Sequence, residues 1–388
     1  MKIYIFPFLI DLITFLVMLR LADAAGREMH VSNLQTSWFM VSYSACFLVA
    51  CLWLGRRLHR GNSRPILIAS ITVLMVLAVP LFFTTSFWPT IIIFSAYGVT
   101  VAAAFNSFQT FMRGEAPAGS LGLTLARYTI SWSSGIACGF LLGGILKDVG
   151  GPFALSAFTT LACLSILYLV LTHQTRDEEH ASADATVEEI DPAVNPRAPR
   201  VDSRYVAIGW SLCVSANFSQ RPLTTFIPKF HAESGSPAWV AGFLLFTLFL
   251  AQAISGYRAQ WLRHWLYRAR PLIIVQLLII GFLALLWMAP NFITSLFIVL
   301  VLGALYGFIY FSCVYYVSND VRSSRNVGIN EAMVGIGNIL GMLISESSMR
   351  LFHYPEAYFP VCMSVTLVIV AAQWYWLKAG ELTTNGHE

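Results

Sequence analysis

Between Gln174 and Ser203 the chain reads QTRDEEHASADATVEEIDPAVNPRAPRVDS. This stretch holds eight of the chain's 20 acidic residues, together with Pro192, Pro196 and Pro199, and contains no apolar run. So polar a segment cannot bury enough apolar surface to offset the entropy of ordering, and it reads as a flexible linker. On either side the character reverses into a succession of apolar stretches. Each is close to the length of about 20 residues that crosses a hydrocarbon core as a helix. Hydrophobic residues make up 57% of the chain and charged residues 11%. Soluble domains carry about 25% charged residues, so this chain cannot cover a water-facing surface and reads as an all-α integral membrane protein.

The length rule puts helices at roughly 3–22, 35–54, 65–84, 88–110, 121–145 and 152–172 before the linker. A second set follows at roughly 205–226, 237–257, 271–289, 292–317, 327–349 and 356–378. The expected organisation is a six-helix bundle over 1–173, a linker over 174–203, a second six-helix bundle over 204–379 and a tail over 380–388. With the intervening loops assigned alternately to the two sides, 17 Lys/Arg fall on the side of the termini and linker, five on the other side, and Arg127 and Arg221 within spans. That asymmetry predicts cytoplasmic termini, as in a multi-pass protein of a bacterial inner membrane. Lys2 precedes an apolar run with no small-residue cleavage site after it, so the first span is expected to be retained.

The two halves echo one another. The basic loop after the second span (Arg56, Arg57, Arg60, Arg64) has a counterpart after the eighth (Arg258, Arg263, Arg268, Arg270). Gly135 and Gly139 of the fifth span have counterparts in Gly337 and Gly341 of the eleventh. Two six-helix repeats joined by a long cytoplasmic loop resemble the major facilitator superfamily. At motif level, Leu54-Gly55-Arg56-Arg57-Leu58-His59-Arg60-Gly61 keeps the family's basic loop without its aspartate. Gly135-Ile136-Ala137-Cys138-Gly139-Phe140-Leu141-Leu142-Gly143-Gly144 is similar to the antiporter glycine motif, with Phe140 where a proline is usual. Gly328-Ile329-Asn330-Glu331-Ala332, followed by Gly335, Gly337 and Gly341, resembles a pattern in bacterial members. The resemblance implies two bundles related by a pseudo-two-fold axis, with a cavity lined by the first, fourth, seventh and tenth helices.

Polar residues inside the spans are the candidates for function, because a charge at bilayer depth costs roughly 2.5–3.5 kcal/mol on insertion scales. Three acidic residues fall inside long apolar segments: Asp11, Glu331 and Glu346. Asp11 follows Lys2 by nine residues, about 13 Å along a helix and near mid-membrane. It reads either as a coupling residue for protons or as the fixed partner of an arginine. Glu331 reads as a second proton site or as a first-turn acidic residue favoured by the helix dipole. Glu346 is expected near the outer end, in reach of water.

Arg127, on the fifth span, is suited to an anionic substrate or to serving as counter-ion, and its shallow depth also permits snorkelling. Asn217, Gln220 and Arg221 end the apolar run of the seventh span just before Pro222, toward the outer face. Asn106 and Gln109 share a helical stripe on the fourth span, and Tyr306 and Tyr310 share one on the tenth. These residues are cavity candidates. Gly135, Gly139, Gly143 and Gly144 are candidates for close helix packing.

The function these features imply is secondary active transport of a small molecule by alternating access, coupled to protons, with export favoured by the glycine motif. An uptake symporter or uniporter, and a transport-inactive sensor or assembly factor, remain as alternatives. No phosphate-binding loop is visible. The seven cysteines lie in apolar segments without metal spacing. The histidines lie in or near loops, without the cluster a membrane enzyme needs. No cofactor, metal or nucleic acid is expected; the partners are the bilayer and a small substrate, and the chain is expected to act as a monomer.

Overall fold

The computed structural model describes residues 4–54, 57–58, 60–115, 121–172, 203–289, 291–318 and 323–384. All of the expected linker 174–203 but Ser203, the tail from 385, Lys2, and Gly55, Arg56 and His59 of the basic loop lie outside the described residues. So do the side chains of Arg60 and Arg263.

In lipid, every backbone N–H and C=O must be satisfied within its own segment, which leaves the helix as the solution for an apolar run. The helices are α1 (Ile5–Arg27), α2 (Asn33–Leu54), α3 (Arg60–Phe83) and α4 (Phe87–Glu115). Leu121–Thr172 is helical throughout except at Gly151, whose φ of 58° and ψ of −149° break it. A positive φ is open to glycine, and Pro152 then starts a new helix with its φ already fixed. The two arms are α5 (121–150) and α6 (152–172). The second half holds α7 (Ser203–Glu233), α8 (Ala238–Arg258), α9 (Ala269–Trp287), α10 (Phe292–Ser318), α11 (Ser323–Phe352) and α12 (Tyr358–Thr384). A 3-10 stretch, Ala259–Trp265, follows α8.

Ten of these helical stretches are long and apolar enough to cross a membrane, with Leu121–Thr172 counted once. The exception is α7, which carries Asn217, Gln220, Arg221 and Lys229 along its length. Large apolar side chains such as Val76, Trp88, Ile92, Leu161, Phe297 and Val368 face outward. An apolar exterior of this kind is what lipid solvates.

Without a hydrophobic force between helices in lipid, close approach depends on small residues. A Cβ at Gly139 would lie 2.5 Å from the carbonyl oxygen of Leu12, so α5 rests directly on the α1 backbone. Gly135 meets Phe8 and Gly143 meets Leu16 and Leu19 along the same seam. The second half repeats the device: Gly337 meets Val214 and Gly341 meets Phe218, both on α7. Pro222 cannot donate to the Phe218 carbonyl, and Gly341 covers that freed oxygen. Gly98 of α4 on Tyr43 of α2 matches Gly303 and Gly307 of α10 on Leu248 and Gln252 of α8. Each pair of contacts relates helices six apart in order, as a pseudo-two-fold arrangement requires. Between the halves, α5 meets α8, α2 meets α11 and α1 meets α7.

Two helices run further than their apolar pattern. α1 continues to Arg27, which buries Asp23, and α7 continues to Glu233, which buries Lys229. Both charges have partners. Asp23 takes Arg27 at 2.7 Å and Lys147 at 3.1 Å, and Lys229 takes Glu233 at 2.5 Å and Asn33 at 2.7 Å. Glu346 is a correction to the sequence expectation: it is buried, at 7% exposure.

Candidate functional site

Where the halves meet, α1, α2, α4, α5, α7, α8, α10 and α11 enclose a cavity of about 160 Å³. From the sequence candidates it gathers Asp11, Asn217, Gln220, Arg221, Tyr310 and Glu331. Asp11 is 6% exposed, one turn after Pro7 in α1. Glu331 lies past the second turn of α11, beyond reach of a first-turn dipole role. Its carboxylate accepts a hydrogen bond from Gln109 Nε2 at 3.2 Å, and the same nitrogen approaches Tyr128 Oη at 3.1 Å. Among the described residues neither Asp11 nor Glu331 forms an ion pair.

Arg221 sits in the middle of α7, not at its end, and is 5% exposed. Its Nη1 reaches Met18 Sδ at 3.1 Å and its guanidinium lies 5.7 Å from the centre of the Tyr43 ring. Among the described residues, Nε and Nη2 have no hydrogen-bond partner. Asn217 is held by its own helix, donating to the Cys213 carbonyl at 2.8 Å.

An amide chain crosses the site from one half to the other. Tyr310 Oη donates to Gln220 Oε1 at 2.9 Å, and Gln220 Nε2 donates to Gln252 Oε1 at 2.7 Å. Gln252 Nε2 then donates to Ser133 Oγ on α5 at 3.1 Å. Trp132 meets the Tyr310 ring edge-on, with centroids 5.3 Å apart.

The remaining candidates lie elsewhere. Asn106 donates to the Ala102 carbonyl at 2.8 Å and to Cys51 Sγ at 3.2 Å, outside the cavity lining. Tyr306 is fully buried against Ser219, with the two hydroxyls 2.6 Å apart. Arg127 is exposed and contributes nothing to the lining. Gly135, Gly139 and Gly143 serve the α1 seam, whereas Gly144 faces α8, its Cβ position 2.6 Å from Trp239 Cα. Sequence reasoning passed over Tyr43, Trp132, Gln252 and Asn330, which line or tie this region. Gln252 carried a signal, since an amide within an otherwise apolar run is costly in lipid.

The end of the bundle that carries Arg27 is shut by polar ties between the halves. Arg27 donates to the Ser236 carbonyl. The Asp148 carboxylate accepts from the backbone N–H groups of Ala238 at 3.3 Å and Trp239 at 3.0 Å. A carboxylate at the free N–H groups of a helix start is favoured by hydrogen bonding and by the helix dipole, so α5 caps α8 across the divide. At the opposite end, the Gln109–Glu331 bond ties α4 to α11.

Three solved structures share this fold over nearly their whole length. The nucleoside transporter NupG superposes with a TM-score of 0.70 at 12% identity, covering 97% of this chain and 98% of that one. A mutant of the same transporter gives 0.73 at 11% identity, with 97% and 98% covered. A D-xylose-proton symporter gives 0.69 at 16% identity, with 96% and 98% covered. No curated protein matches the sequence closely enough to count as a relative. The family model described as Major Facilitator Superfamily matches residues 3–342. With that match over most of its length, the chain belongs to the Major Facilitator Superfamily, a family of multi-pass membrane transporters.

Proposed function

We propose that the chain is a proton-coupled secondary transporter of a small molecule, working by alternating access of two bundles, 1–173 and 204–379, about the central cavity. The carrying observation is that Asp11 and Glu331 face one cavity between the halves with no ion pair among the described residues. A carboxyl group that meets water in one state and not in another holds its proton differently in the two states, which links proton movement to the conformational cycle. Asp11 is the primary coupling group, and Glu331, already held by Gln109, is the secondary one.

The direction we favour is inward, with the proton. The α5 glycines that pointed toward export are occupied in packing on α1, a role that serves either direction. One fold neighbour is a proton symporter. The positive-inside asymmetry supports a topology with both termini, and the linker 174–203, on the cytoplasmic side of a bacterial inner membrane and the Arg27 end outside. The chain is taken to act as a monomer.

The test is Asp11→Asn in proteoliposomes. The variant should lose accumulation against a gradient while counterflow exchange stays measurable. Uphill transport at the wild-type rate would make Asp11 structural and remove the proposed coupling.

A further inference from the structure

We infer that the cavity takes a small organic monoanion, with Arg221 as its charge partner and a ring of aromatic side chains around its apolar body. This assignment rests on the transporter reading and adds a substrate class to it.

The buried cations of this chain can be compared with one another. Arg20 has Glu28 at 2.7 Å and the Phe82 carbonyl at 3.1 Å. Lys229 has Glu233 and Asn33, and Lys147, on the same end of the bundle, has Asp23. Arg221 is the exception among the described residues: Arg20 leaves only Nη1 without a partner, whereas Arg221 has neither carboxylate nor carbonyl on it, its Nε and Nη2 are without partners and its Nη1 meets only a thioether sulfur. A guanidinium stays charged in proteins and presents five donors in a planar fork. Burying it without an anion costs several kcal/mol, and a protein under no functional demand replaces such a group with an apolar one. Asp11 and Glu331 line the same cavity, yet neither pairs with Arg221. A mobile anion completes the site.

The walls define the rest of the ligand. Tyr43, Phe47, Phe105, Tyr128, Trp132 and Phe249 line the cavity. Its volume of about 160 Å³ equals that of about five water molecules. These dimensions fit a compact apolar or aromatic body carrying one carboxylate. The two cavity carboxylates disfavour a second negative charge on the ligand, since like charges at close range repel. A monoanion held by Arg221 and a proton held by Asp11 together cross without net charge movement.

The experiment uses the full-length protein in nanodiscs, with benzoate, phenylacetate and cyclohexanecarboxylate as anionic probes. Benzamide and benzylamine are the neutral and cationic counterparts. Thermal stabilisation and the change in intrinsic tryptophan fluorescence report binding. At least one carboxylate should bind about ten- to a hundredfold more tightly than benzamide, the range expected for charge-assisted hydrogen bonds. Arg221→Gln should abolish that preference and Arg221→Lys should retain part of it, with Arg127→Gln unchanged. The intrinsic melting temperature of each variant separates lost binding from lost folding.

Benzamide binding as tightly as benzoate, or silence toward all three carboxylates, overturns the assignment. So does recovery of the Arg221→Gln variant on adding Asp11→Asn, which would make Arg221 the counter-ion of Asp11. Proton-coupled uptake of a neutral probe such as D-xylose or uridine, without response to carboxylates, sinks the anion and leaves the transporter. Carboxylate binding with no flux of carboxylate or proton in proteoliposomes sinks the transporter and leaves the site.

Discussion

Gly242→Ala should move the protein out of the state in which the Arg27 end is shut. A Cβ at Gly242 would meet the Phe140 carbonyl oxygen at 2.5 Å and the Phe140 carbonyl carbon at 3.3 Å. Both neighbours are backbone of α5, so no rotamer change relieves the clash and the helices must part. Overpacking of this kind costs about 1–3 kcal/mol, and only the conformation with the α5–α8 seam closed bears it. The ratio of closed to open populations should therefore fall by about 5- to 150-fold. Spin labels at Val149 and Ser234, both exposed at that end, read the separation of α5 from the α7–α8 turn by pulsed electron resonance. The variant should gain a longer-distance population. Gly281→Ala is the control, because its Cβ would meet nothing within 4 Å. A folded Gly242→Ala protein with the wild-type distance distribution would refute the idea that this seam governs closure of the Arg27 end.

Gly139 lies within one half, so its substitution should act on folding instead of on access. Gly139→Leu should cut the yield of folded protein or lower its melting temperature by several degrees, and normal yield with normal stability would contradict direct backbone contact with Leu12. For topology, single cysteines at Asn62, Asp184 and Arg268 should label from the cytoplasmic face alone and one at the exposed Ser234 from the outer face alone; external labelling at Asp184 would overturn the orientation.

The fold was legible because a bilayer imposes length and composition on every span, and each expected helix overlaps an observed one, although α1, α7 and α12 run well past their expected ends. The misreadings fall where charge interrupts the apolar pattern. Asp23 and Lys229 fall just past the expected helix ends at 22 and 226 and are instead buried and paired within α1 and α7. The site was legible only in part, for a geometric reason. α7 carries Asn217, Gln220 and Arg221, and α1 carries Asp11 amid an apolar run, so the polar residues themselves mark the inward face. α5 and α10 are apolar nearly all round, and such helices give no rotational phase. Arg127 could therefore be expected inward although it points outward, and Tyr306 could be grouped with Tyr310 although the cavity takes only one of them. Gln252 joins the site through bonds to residues far apart in the chain, which no local pattern encodes.

The polarity of α7 bears on how the protein is made. An arginine or lysine near the centre of a span adds about 2.5–3.5 kcal/mol to its insertion, and α7 carries Arg221 and Lys229 beside several amides and hydroxyls. Alone, this helix partitions poorly into lipid when it leaves the ribosome. The surfaces that shelter it are α1, already in place, and the later α10, α12 and the Gly337 and Gly341 face of α11. At synthesis rates of about 5–20 residues per second, α11 follows by roughly ten seconds. During that interval α7 depends on the completed first half, or on an insertase, to hold it in the membrane. A chain truncated before α11 should leave α7 exposed to quality-control proteolysis, making it the weakest point in the biogenesis of the molecule.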